Sequence, residues 1–327
     1  MKRREFVVLL GAGTIVRSIS ARAEQAALPL IGIIHSASAA ADGYIVDAIR
    51  RGLKTADLVD GQNVAVEFHW AEGQYDRLSA MADDLVRRHA AVIFTGGGAA
   101  PARAAKAATR TIPIVFVSGD DPVQSGIVPS LNQPGGNVTG VVFFNGALAA
   151  KRVQLLHELL PSASVFGYLV NPNGPQAAQE TKDVLTAAKK LGLTIHVLNA
   201  STQREIDETH AQLSQLHAGA LLTQADPFLG SQRASIIALA TRNALPVCGS
   251  TREYVKDGAV ISYGTSIREA YGQACIYVAR ILKGESPSNL PVMQPTTFEL
   301  SINLKAAKVL GLTVPPSLIA RADEVIV

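Results

Sequence analysis

The chain has 327 residues, a formal net charge of +3 and 48% apolar residues, with 5% aromatics and two cysteines. That length suits two domains of ordinary size. Two cysteines are too few for a disulfide framework, and no basic cluster of the kind a nucleic-acid binder needs follows Arg22. Lys2, Arg3, Arg4, Arg17 and Arg22 stand against Glu5 in residues 1–23, a net of +4 that leaves −1 on the rest of the chain.

In chain order, the first feature is that basic start. It leads into an apolar run over residues 6–16 and a small-x-small site at Ala21-Arg22-Ala23. This order predicts an export signal cleaved after residue 23. The run is far shorter than the roughly 20 residues that span a bilayer, so no membrane insertion is expected. Arg3-Arg4 resembles a twin-arginine signal, so either that route or the general secretory one is open. Gly11-Ala12-Gly13 imitates a dinucleotide-binding turn, but Val16 stands where the third glycine belongs and no amphipathic helix follows.

From residue 30 onward, strand-like and helix-like segments alternate. Residues 30–35 form a β-branched run, and 42–56 carry Ile45, Ala48, Ile49 and Leu53 on one helical face. An alternating strand follows around Val64–Phe68. The helix predicted over 76–89 has Leu78, Met81, Ala82, Leu85 and Val86 at helical spacing. Strands at 91–95 and 114–118 flank a helix at 101–110. A stretch rich in Pro and Gly, residues 119–137, interrupts the pattern, which restarts with a strand at 138–144. Further strands are expected at 165–170, 194–198, 220–223 and 259–262. Helices are expected at 148–160, 176–191, 203–216, 231–243 and 268–283. Strand–helix alternation predicts parallel sheets covered by helices, an α/β chain of two halves meeting near residue 140.

Open parallel sheets bind ligands outside the carboxyl ends of their strands. The residues singled out on that ground are Ser36, Gly97, Gly98, Ala99, Ser118, Asp121, Asn171, Asp226 and Thr251. Gly96-Gly97-Gly98-Ala99 reads either as a tight turn or as a backbone cradle at a helix N-terminus that suits a carboxylate. Asp121 and Asp226 each precede a proline, so each is a turn starter or a counter-charge for an ammonium group. Asn171 offers a donor and an acceptor, and Ser36 and Ser118 are strand-end hydroxyls. Trp70, the one tryptophan, reads either as a stacking platform for ligand or as packing near the cleft rim. The strand-end loops hold few aromatics, so the ligand expected is a compact solute with an anionic and a donor-rich end, amino-acid-like, with short amides and aromatic acids as alternatives that could use the same groups. No histidine pair has metal spacing, no hydrolase elbow occurs, and no cofactor, metal or catalytic residue is expected. Cys248 and Cys275 read as two buried thiols, with a single bridge in an oxidising compartment as the alternative.

Several strings resemble a known family. They include Gly61-Gln62-Asn63-Val64, residues 70–78 (WAEGQYDRL), Asp121-Pro122-Val123, residues 132–141 (NQPGGNVTGV) and the tail from Phe298 to Glu324. Together they are similar to the ABC transporter substrate-binding proteins, whose members include tryptophan- and tyrosine-type binders. The resemblance implies a type I periplasmic-binding fold with three inter-lobe crossings. One lobe would comprise 24–140 plus 264–288, the other 141–263 plus 289–327. It also implies an ABC permease and its ATPase as partners; with the export signal and no cysteine near its cleavage site, the expectation is a periplasmic monomer that captures a small molecule and performs no chemistry. A solute-sensing subunit of a receptor kinase, or an enzyme on a doubly wound scaffold, is the alternative.

Overall fold

The computed structural model describes residues 28–40, 43–174 and 176–327. The predicted export signal, its Arg3-Arg4 pair and its cleavage site lie outside them. Strand β1 (Leu30–His35) is followed by α1 (Gly43–Thr55), β2 (Ala65–Trp70), α2 (Arg77–Arg87), β3 (Val92–Gly96), α3 (Ala99–Ala108), β4 (Ile114–Ser118) and β5 (Val138–Val142). These strands form one parallel sheet in the order β2-β1-β3-β4-β5. Helix α3 starts two residues earlier than expected, with Pro101 in its first turn. Proline is tolerated there because the first four N–H groups of a helix have no intrahelical partner.

The second half holds α4 (Ala149–Leu159), β6 (Val165–Val170), α5 (Ala177–Lys190), β7 (Thr194–Asn199), α6 (Gln203–Gln215), β8 (Ala220–Thr223), α7 (Pro227–Ser231), α8 (Arg233–Arg242), β9 (Val247–Gly249), α9 (Arg252–Lys256) and β10 (Ile261–Thr265). Next come α10 (Ile267–Leu282), β11 (Phe298–Asn303), α11 (Leu304–Val309), α12 (Pro316–Ile319) and β12 (Glu324–Ile326). The second sheet runs β12-β11-β10-β9-β8-β6-β7, parallel except between β10 and β11. Periodicity misses β9, β11 and β12. The first and last have only three residues each, too few for a period of two to register.

The chain passes between the sheets three times. After β5 it runs through residues 143–148 to α4. After β10 it returns, because α10 packs on α1. That approach is close: a Cβ on Gly52 would lie 2.9 Å from Cys275 Sγ and 3.0 Å from Gly272 Cα. The segment after α10 stays with the first sheet, where Leu290 and Val292 are buried and Met293 N donates to Gly140 O at 2.9 Å. Only then does β11 enter the second sheet. Each sheet is covered by apolar clusters on both faces, as buried parallel sheets require. Cys248 and Cys275 are free, buried and attached to different sheets.

Candidate functional site

The carboxyl ends of the two sheets face each other across a cavity of about 110 Å³. On the same measure one water needs roughly 10–15 Å³, so the space suits a small molecule. The first lobe contributes His35, Tyr44, Gly97, Gly98, Asp120 and Tyr271; the second contributes Asp226, Arg233, Ser250, Thr251 and Tyr254. Phe143, from the first crossing, closes one side. A second cavity is lined by Ser36, Tyr75, Asn171 and Phe228 and shares Pro227 with the first.

The glycine corner after β3 explains how the lobes come so close. Gly97 and Gly98 have φ of +80° and +97°, a region open to glycine and strained for other residues. A Cβ on Gly97 would stand 2.2 Å from Ser36 Oγ, which donates to Gly97 O at 2.5 Å. A Cβ on Gly98 would stand 3.2 Å from Asp120 Oδ2 and 3.5 Å from Pro227 of the opposite lobe. The Ala99 N–H, expected to receive an anionic ligand end, donates instead to Asp120 Oδ2 at 2.7 Å. The protein's own carboxylate thus occupies the positive end of α3. Ser118 is fully buried beneath it, donating to Asp120 Oδ2 at 3.5 Å and accepting from Asp120 N at 3.0 Å.

From sequence Asp121 reads as either a turn starter or a counter-charge. In the structure Asp121 Oδ1 accepts from Val123 N and Gln124 N at 2.8 and 3.2 Å, which is the turn role, and Asp120 is the residue that lines the cavity. Asp226 lines it from the other side. It caps α7 by accepting from Leu229 N at 3.0 Å, and Asn171 Nδ2 donates to both its oxygens at 3.2 Å. Asn171 itself is held by Gln224, whose Oε1 accepts from Asn171 N at 2.8 Å. Thr251 lines the cavity at the start of α9.

Burial raises the Asp120 carboxyl above its ordinary range, against the pull of the Ala99 and Ser118 hydrogen bonds and of Arg103. Burial likewise raises Asp226, and the charge of Asp120 adds to the shift. The two carboxylates therefore share one electrostatic environment across the cleft. Desolvation, with the charges of Asp226 and Asp120, pushes the Tyr75 hydroxyl up to about 12. His35 is driven down to about 3 by burial, so it is neutral. Its Nδ1 accepts from Ala37 N at 3.2 Å, which leaves Nε2–H to donate to Tyr271 Oη at 3.0 Å.

The aromatic lining comes from helices and a crossing, not from strand-end loops, which is why it escaped the sequence reading. Tyr44 lies on α1, Tyr254 on α9 and Tyr271 on α10. Arg233 on α8 reaches across the cleft, its guanidinium 5.6 Å from the Tyr44 ring centroid. Asp257 holds its Nε at 2.7 Å, and its Nη1 donates to Gly230 O at 2.8 Å. Trp70 lies behind the wall, 4.9 Å from the His35 ring and stacked on Phe68. Among the described residues Arg233 is the one cation lining the cavity, and no strand-end motif pointed to it.

The comparisons bear on this geometry. The sequence profile described as ABC transporter substrate binding protein matches residues 30–326. A "Tyrosine-binding protein" of Clostridioides difficile (strain R20291) is 26% identical over 262 residues, covering 80% of this chain and 75% of that one. A conserved domain protein of Vibrio cholerae O1 biovar eltor superposes with TM-score 0.82 at 27% identity, over 91% of this chain and 99% of that one. An ABC domain of Streptococcus pneumoniae solved in complex with L-Trp superposes with TM-score 0.81 at 24% identity, over 92% and 100% of the two chains. The α/β architecture of two facing sheets is the type I periplasmic-binding fold. With the profile spanning almost all of both sheets, the chain belongs to the ABC transporter substrate-binding protein family.

Proposed function

We propose that this protein is the extracytoplasmic solute receptor of an ABC importer and that it closes its lobes on an aromatic α-amino acid or a near derivative. The observation that carries the reading is one cavity holding two carboxylates from opposite lobes, one guanidinium and an aromatic wall. The ligand ammonium bridges Asp120 and Asp226, where charge-assisted hydrogen bonds are strongest. Its carboxylate turns to Arg233, flanked by Ser250 and Thr251. Its ring lies among Tyr44, Phe143 and Tyr271. This reverses the polarity expected from the glycine corner, because Asp120 already fills the anion position there.

The moving bodies in this reading are the two sheets with their helices, divided in the segments 143–148, 265–267 and 293–298. A ligand that touches both favours the closed state and shifts the population toward it. The Tyr44–Arg233 contact adds to closure. The receptor then delivers its ligand to a permease and ATPase, works in the periplasm as a monomer, and leaves the ligand unchanged. Similarity to a tyrosine-binding protein and to a domain solved with L-Trp supports the ligand class.

Thermal-shift screening of the purified protein tests the reading. L-tyrosine, L-tryptophan and L-phenylalanine should raise the melting temperature; a ligand at 100 times its Kd stabilises by about 2.7 kcal/mol. Scattering should show a smaller radius of gyration with ligand. Stabilisation by monosaccharides with no response to amino acids would overturn the ligand class. Mass spectrometry of the periplasmic form should show a chain beginning at Glu24.

A further inference from the structure

Behind the Asp226 corner lies an ion pair whose two side chains are completely buried, Arg152 and Glu180, with Nη2 and Oε1 2.7 Å apart. The same Glu180 oxygen accepts from Ala225 N at 3.2 Å. Ala225 lines the cavity directly before Asp226. Arg152 reaches on to Tyr263 O at 3.4 Å, on the strand that leads into the second crossing. A Cβ on Gly146, in the first crossing, would stand 3.6 Å from Glu180 Oε2. The Tyr168 hydroxyl lies beside the same carboxylate.

Burying two charges is costly, and a packed apolar pair of like volume often serves stability as well or better. Stability is therefore a poor reason for an ion pair here, whereas the Ala225 amide is a specific one. The Ala225 amide, half-buried beside the cavity, is short of water as a partner, and a fully desolvated carboxylate locked by a guanidinium gives it an acceptor in one fixed place. We propose that Glu180 is a positioning residue: by accepting the Ala225 N–H it sets where Asp226 stands, with Arg152 as the counter-charge that holds it. The role of Asp226 toward ligand rests on the function proposed above; the role of Glu180 toward the corner does not.

Two double variants separate the roles. Arg152→Met with Glu180→Gln removes both charges and keeps an acceptor for Ala225. Arg152→Met with Glu180→Leu removes the acceptor as well. Both should melt within a few degrees of the parent. The Gln form should bind L-tyrosine within about threefold of the parent. The Leu form should lose at least tenfold, and its segment 224–229 should exchange amide hydrogen faster in the absence of ligand. Equal affinity and equal exchange in the two forms would overturn the proposal. So would equal loss in both, which would assign the effect to the ion pair itself. If the parent takes up no L-tyrosine, the ligand class falls, and the exchange of 224–229 alone decides the role of Glu180.

Discussion

Two Asp-Pro pairs stand at the same offset, three residues past the ends of β4 and β8, and they do different things. Asp226-Pro227 caps a helix and presents its carboxylate to the cavity. Asp121-Pro122 caps a turn, and the residue before it faces the cavity. The dipeptide dictates capping in both places, because aspartate accepts from N–H groups two or three residues on and proline sets the first φ. What differs is the neighbour. Next to β4 the glycine corner offers the open end of α3, and Asp120 docks there. Next to β8 the adjacent corner offers Asn171, which donates to Asp226 where it stands. Local chemistry sets the cap, and the adjacent strand end sets which carboxylate lines the cavity.

Substitution at Asp226 should break the comparison most strongly. Asp226→Asn keeps an acceptor for Leu229 N, so the melting temperature should hold, while affinity for L-tyrosine falls at least 30-fold by calorimetry. Truncating one partner of a buried charged contact costs about 2–5 kcal/mol. Asp226→Ala should lose affinity as well as about 1 kcal/mol of stability from the missing cap.

The neighbouring pair gives the sharper contrast. Asp120→Ala should weaken binding roughly tenfold, about 1.4 kcal/mol. Asp121→Ala should leave affinity within about twofold and cost about 0.5–2 kcal/mol of stability. The opposite outcome would return the ligand contact to Asp121.

Acidity probes both carboxylates together. Their pKa values in the folded ligand-free protein lie above the ordinary 3.8. A carboxyl raised by folding contributes stability that is present below 3.8 and is lost as pH rises through the raised value. Binding an ammonium needs the ionised forms, so affinity should rise with pH across that same window and level off above it. Calorimetry in buffers of different ionisation heat should show proton release on binding. An affinity that instead grows on acidification would remove the ammonium from between Asp120 and Asp226.

The smallest effect concerns Trp70. It is the chain's single tryptophan and is one ring removed from the cavity wall through His35. Ligand should change its emission, while Trp70→Phe should shift affinity less than about threefold, under 0.7 kcal/mol. A larger loss would make Trp70 a direct stacking platform.

The two mostly parallel sheets are legible in the residues alone, because strand–helix alternation is a local signal: α2 carries apolar residues at helical spacing, and β4 is a continuous apolar run. The nine residues singled out from sequence divide in the structure: Gly97, Gly98, Asp226 and Thr251 line the first cavity, Ser36 and Asn171 the second, and Ala99, Ser118 and Asp121 neither. Asp120 and Asp121 are told apart only in three dimensions, since the partner of Asp120 is an amide 21 residues away. The same holds for Tyr271, 236 residues from His35, and for Glu180, 45 residues from the amide that it fixes. Periodicity records which face of an element is buried and says nothing of which element will cover it. The tyrosines and Arg233 that complete the cavity sit on helices and meet the strand ends only when the three crossings bring the lobes together.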